Sequence, residues 1–176
     1  MATTKWALDP THSEIQFKIK HLMITNVTGN FTSFDVKAST EDDDFSKAEI
    51  SFQAKVDSIN TNNEQRDGHL KSGDFFDAEN FPEITFTSSQ IVKSDDDNFK
   101  VPGNLTIKGV TQPVTLDAEF GGITKDPYGN TKAGFSIQGK INRKEFGLTW
   151  NAALETGGVM VSEDVKINAE IQLVKQ

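Results

Sequence analysis

The stretch Glu14-Ile15-Gln16-Phe17-Lys18-Ile19-Lys20-His21-Leu22-Met23 decides the fold. Ile15, Phe17, Ile19, His21 and Met23 share one side of an extended chain, and Glu14, Gln16, Lys18 and Lys20 occupy the other. Successive side chains of a strand point to opposite faces, so this alternation reads as a long strand with one face in water and one buried. The same rhythm returns at Ile50, Phe52, Ala54 and Val56, at Val114, Leu116, Ala118 and Phe120, and at Phe135, Ile137, Gly139 and Ile141. It recurs at Val165, Ile167, Ala169, Ile171 and Leu173, and in shorter form over 31–36, 84–91 and 99–107. Roughly eight strands are predicted, divided by turn-forming clusters at 26–29, 41–44, 95–98, 108–110 and 126–130. Most connections are short, so neighbours pair as antiparallel hairpins. Closing such a sheet removes its edges, which predicts an all-β, antiparallel barrel rather than an open sandwich.

One segment, 61–81, breaks the rhythm. Thr61 and Glu64 stand at capping-box spacing and predict a short helix beginning there, limited by Gly68 and Gly73. Asp74 is placed to start a second turn carrying Phe75 and Phe76, before Phe81 and Pro82 return the chain to a strand. No linker or internal repeat divides the chain, and 1–176 reads as a single barrel domain with a short helical insert.

Composition removes several chemistries. The chain has no cysteine, hence no disulfide, no thiolate zinc site and no cysteine nucleophile. Its net charge of −8 opposes binding to phosphate backbones, so nucleic acid is not an expected partner. No apolar run approaches the ~18 residues of a membrane helix, and the first residues lack a secretory pattern. The sequence as written therefore predicts a cytoplasmic protein with no transmembrane segment; removal of an export signal ahead of it would instead mean the periplasm.

The 13 Phe stand against one Tyr and two Trp, an aromatic content nearly free of polar atoms. A barrel of about eight strands is either filled by side chains or just wide enough for one slender ligand. Composition leaves both open, a packed core being the commoner use of buried aromatics. His12, His21 and His69 are the three histidines. His12 and His21 lie at an odd offset, on opposite faces and about 30 Å apart along a strand, so no metal site is expected. His21 continues the Phe17 and Ile19 face and should point inward. Ser13 beside His12 belongs to an Asx-type turn at Asp9-Pro10-Thr11, and no nucleophile elbow, phosphate loop or calcium loop occurs. Only two of the 18 basic residues are arginine, Arg66 and Arg143. A planar fork at such positions serves either an internal ion pair, with Asp67 or Glu145, or a ligand headgroup at a barrel mouth.

The order and spacing of several pieces resemble the YceI-like family of polyisoprenoid-binding, lipocalin-like barrels. They run from Trp6-Ala7-Leu8-Asp9-Pro10-Thr11-His12-Ser13 through Lys20-His21-Leu22, Gly29 and Phe31 to Arg66-Asp67-Gly68-His69-Leu70 and Asp74-Phe75-Phe76-Asp77. Phe81-Pro82-Glu83-Ile84-Thr85-Phe86, Gly103-Asn104-Leu105-Thr106-Ile107-Lys108-Gly109-Val110-Thr111, Gly134-Phe135, Asn142-Arg143 and Phe146-Gly147-Leu148-Thr149-Trp150 follow. Glu145 departs from the family's usual aspartate, and Asp35 or Val36 from a common glycine. The resemblance implies an elongated barrel with a hydrophobic pore, often a homodimer. It would hold a long polyprenyl chain, an isoprenoid quinone or a fatty amide, with no cofactor required and no catalysis. Strand parity then lines the pore with Phe17, Ile19, His21, Met23, Phe31, Phe86, Phe120, Phe135 and Ile137, while Leu70, Phe75 and Phe76 close one end. Arg66, His69 and Arg143 are the headgroup candidates. The rival readings are an enzyme acting on a lipid held in the barrel, with His21 or His69 as acid or base, and a packed interaction or stress-response module without ligand.

Overall fold

In the computed structural model, which describes residues 2–22, 24–88, 90–151 and 161–176, the alternating stretch forms strand β2 (Glu14–His21). Around it lie β1 (Thr3–Leu8), β3 (Thr25–Phe31), β4 (Phe34–Glu41), β5 (Asp44–Lys55), β6 (Ile59–Asn60), helix α1 (Glu64–Lys71), β7 (Glu83–Ser88) and β8 (Val92–Lys93). Four long strands follow: β9 (Asn98–Ile107), β10 (Val110–Lys125), β11 (Thr131–Asn142) and β12 (Val161–Lys175).

These strands make eight staves, because four staves are interrupted. β1 and β2 run one after the other along β12, β1 at Trp6↔Lys175 and β2 at Phe17↔Ile167. The break between them is the expected turn: Asp9 caps a 3-10 turn over Pro10–His12, its carboxylate accepting from the Thr11 amide and hydroxyl. Pro10 supplies no ladder donor, so the stave bends there. β3 pairs with β2 and β4 with β1, making the second stave. The run at 31–36 is thus the end of one strand and the start of another. It divides because the Thr32 amide and hydroxyl turn to the Ser58 carbonyl, while the Ser33 carbonyl accepts from the Lys55 amide. β5 and β6 form the third stave, β7 and β8, both along β9, the fourth, and β9, β10, β11 and β12 the rest, each antiparallel to its neighbours. β12 pairs with both β1 and β2 and closes an up-and-down barrel.

The helix also differs in detail. Asn63 is its N-cap, accepting from the Arg66 amide at 3.0 Å, and Thr61 lies before it. Thr61 is instead held by Asp67, whose carboxylate accepts from the Thr61 amide and hydroxyl at 2.9 and 2.6 Å. The insert packs over one end of the barrel, with the 142–151 stretch beside it. The 41–44 and 126–130 turns lie at the other end. There Lys132 bonds Asp9 at 2.6 Å and reaches Asp126 at 3.7 Å, pinning β11 to the β1–β2 junction. No helix of the described residues is long and apolar enough to cross a membrane.

Candidate functional site

The inward faces of the staves enclose a cavity of about 590 Å³, within the range of small-molecule sites. Phe17 and Ile19 of β2, Phe52 of β5, Phe86 of β7, Leu105 of β9, Ile137 of β11 and Ile167 of β12 form its walls. Lining residues on β12 run from Val161 to Leu173, about 30 Å along the axis for a strand rising about 3.3 Å per residue and tilted near 40°. The space is long, narrow and dry. Apart from Gln16, its polar lining gathers at the helix end: His21, Thr61, Asn63, Gln65, Arg66, His69 and Arg143.

The end away from the helix is filled by interlocking rings. Phe45 lies 5.0 Å from Trp6, 4.9 Å from Phe135 and 5.7 Å from Phe120, and Phe120 stacks on Phe135 at 5.2 Å. Phe135 still borders the cavity, but Phe120 does not. Its position in the parity is inward, yet its ring is taken up by Phe45, Phe99 and Phe135, so it belongs to the plug and not to the wall.

At the helix end, Phe31 meets Phe17 at 5.7 Å and Phe76 at 6.4 Å, and Leu70 and Phe75 border the same space. His69 sits edge-on to Phe75 and Trp150 at 5.1 and 4.8 Å, and its Nε2 lies 3.0 Å from an Asp74 carboxylate oxygen. Arg66 donates from Nε to the Thr61 hydroxyl at 2.8 Å and from Nη2 to the Thr61 carbonyl at 2.7 Å. It does not pair with Asp67, because both groups converge on Thr61. Among the described residues no carboxylate forms an ion pair with Arg66, and the rest of its fork is free at the cavity rim. His21 also borders the cavity here, whereas Met23 lies outside the described residues.

Arg143 is of another kind. It is 2% exposed, and its guanidinium donates to the carbonyls of Leu148, Trp150, Ser162 and Val161. Neither the ion pair with Glu145 nor a free headgroup fork is what the structure shows: backbone acceptors take up the donors, tying the 148–150 stretch to the start of β12. Burial pushes its pKa below the ordinary arginine value, and Glu163 offsets part of that.

Several wall residues were not singled out from sequence. Phe52, Val165 and Ile167 follow the same alternation and were legible from it. Phe45 sits just after an acidic turn that reads as solvated, and Trp150 reaches His69 only through tertiary packing. Among the described residues no group of three His, Cys, Asp or Glu side chains is placed to hold a metal.

A closed antiparallel barrel with a plugged foot, a dry lumen and a polar rim is a lipocalin-like barrel, the class of architecture suited to a slender hydrophobic guest. The chain belongs to the YceI-like family, whose domain model matches residues 6–173. It is 45% identical over 170 residues to a UPF0312 protein of Staphylococcus aureus (strain USA300), covering 96% of both chains. A crystallised YCEI protein of Campylobacter jejuni matches at 37% identity and a TM-score of 0.77, with 96% of each chain covered. A polyisoprenoid binding domain from Saccharophagus degradans shares the fold at a TM-score of 0.66 and 16% identity, covering 97% of this chain and 98% of that one.

Proposed function

We propose that the barrel stores or carries a long-chain isoprenoid-like lipid, such as a polyprenyl chain, an isoprenoid quinone or a fatty amide, and performs no chemistry on it. The observation that carries this reading is the continuous apolar lumen with its polar residues gathered at one end. Each methylene moved from water into such a space contributes about 0.8 kcal/mol, so a prenyl tail binds without polar contacts along its length. Ordering the tail offsets part of that gain. The foot, closed by Trp6, Phe45, Phe120 and Phe135, directs the tail's end downward and leaves the headgroup at the rim. There Arg66, part of whose fork is held by Thr61 and the rest of which is open at the rim, and His69 are the contacts for a headgroup oxygen; Arg143 holds the wall behind them. The binding domain from Saccharophagus degradans, similar in fold, supports a lipid guest for this lumen.

The two tryptophans give the test, since Trp6 lies in the foot and Trp150 at the rim. In a Trp6→Phe variant, titration with a tetraprenyl menaquinone should quench Trp150 saturably, and geranylgeraniol should reverse the quenching by competition. Absence of saturable quenching together with absence of binding of either compound would overturn the reading.

A further inference from the structure

Glycine inside a strand weakens it, so an inward-facing strand glycine needs a reason. Gly109, Gly122, Gly129 and Gly147 have one in their left-handed backbone, with φ between 76° and 111°. Gly29, Gly103 and Gly139 do not; their backbone suits any residue, and what they lack is room. A Cβ on Gly29 would fall 2.3 Å from Cζ of Phe17, its partner across β2 and β3. On Gly103 it would fall 2.5 Å from Cζ of Phe86, and on Gly139 2.4 Å from Cδ2 of Leu116. In each case a large lining side chain lies down across a bare stretch of the neighbouring strand. The three pairs stand at separate places round the barrel, on β2 and β3, β7 and β9, and β10 and β11.

We infer that Gly29, Gly103 and Gly139 set the bore of the lumen and so determine which chains fit, favouring a methyl-branched prenyl chain over a straight alkyl chain. This role of the glycines rests on the lipid-binding reading above. A side chain at one of these positions would raise Phe17, Phe86 or Leu116 off the wall. The backbone behind is fixed by the ladder, so the displaced group moves into the lumen. A narrowed bore rejects the wider, branched chain first, because interiors tolerate added volume poorly. Gly29 and Gly139 are the cleaner sites for a test, since an added Cβ meets only a side chain there; at Gly103 it also meets the Thr87 carbonyl oxygen at 2.4 Å.

The experiment compares geranylgeraniol with hexadecanol, two alcohols with main chains of equal length, as ligands of the wild type, Gly29→Ala and the double variant Phe17→Leu/Gly29→Ala. Gly29→Ala should lose about tenfold in affinity for geranylgeraniol and change far less for hexadecanol, and the double variant should recover most of the loss. Equal losses for both ligands, no loss, or no recovery would overturn the assignment. Should Gly29→Ala fail to fold, Gly139→Ala with Leu116→Ala/Gly139→Ala decides by the same criteria. A wild type that binds neither alcohol refutes the lipid-binding reading itself, whereas a wild type that binds both beside unaltered variants refutes only the role of the glycines.

Discussion

Replacing Arg143 with methionine keeps an unbranched stem and removes every donor. Four backbone carbonyls, those of Leu148, Trp150, Val161 and Ser162, then lose a charged partner at distances between 2.6 and 3.3 Å. A hydrogen bond from a charged donor contributes about 1.5–3 kcal/mol, and leaving a buried acceptor unpaired costs about 1–3 kcal/mol. Such contributions are not additive, and some of these carbonyls will recruit water. The expected loss is therefore about 3–5 kcal/mol, near the upper end for a point substitution. For a chain of this size that lowers the melting temperature by roughly 10 °C. Arg143→Lys retains the charge without the planar fork, so it should recover only part of the stability. Equilibrium urea unfolding followed by tryptophan fluorescence measures both. A methionine variant within about 0.5 kcal/mol of wild type, folded but unable to bind a quinone, would refute the structural role and return Arg143 to the headgroup contacts.

Acid should destabilise the fold in a defined window. Asp9, held down chiefly by the hydrogen bond from Lys132, Asp44 by the Ser46 hydroxyl, Asp95 by the Asn98 side chain and Asp126 by the Asn130 amide all titrate below the ordinary carboxylate value. The unfolded chain therefore takes up protons first. Their stabilisation is present above the unfolded value, about 3.9, and is lost as pH falls toward the lowered native values. Lys132, raised mainly by its bond to Asp9, contributes fully below its unfolded value and loses that contribution as pH climbs through its own raised value. Melting temperatures across pH should fall on the acid side, and Lys132→Met should flatten that fall; an unchanged profile would contradict the pin between β11 and the β1–β2 junction. Phe45→Ala removes the ring shared by Trp6, Phe120 and Phe135, which should cost about 3–5 kcal/mol and deepen the lumen. Calorimetry and binding of longer prenols check it, and a variant of unaltered depth preference would show that the plug does not limit chain length.

The barrel was legible because its residues obey one local rule. Phe17, Ile19 and His21 face inward by parity alone, and so do the matching residues of β5, β11 and β12. What escaped depended on neighbours distant in sequence. Nothing near Ser33 announces that Ser58 will draw off the Thr32 donors and split a stave. Thr61 has the composition of a cap, but Asp67 claims it and Asn63 takes the role. Arg143 carries the charge expected of a headgroup contact, and only the folded chain brings four carbonyls round it. Phe120 keeps the right parity, yet three other rings turn it from wall into plug. The recurring limit is that alternation reports which face a side chain is on, and not what fills the space before it.

The most direct test of the lipid-carrying account is native mass spectrometry of protein purified without detergent, with organic extraction and fragmentation of whatever is bound. A lipid carrier should show a mass excess over the bare chain, released into the organic phase and breaking down in isoprene-unit or acyl steps. Bare protein in every preparation, with no mass gained after incubation with polyprenols, would contradict it.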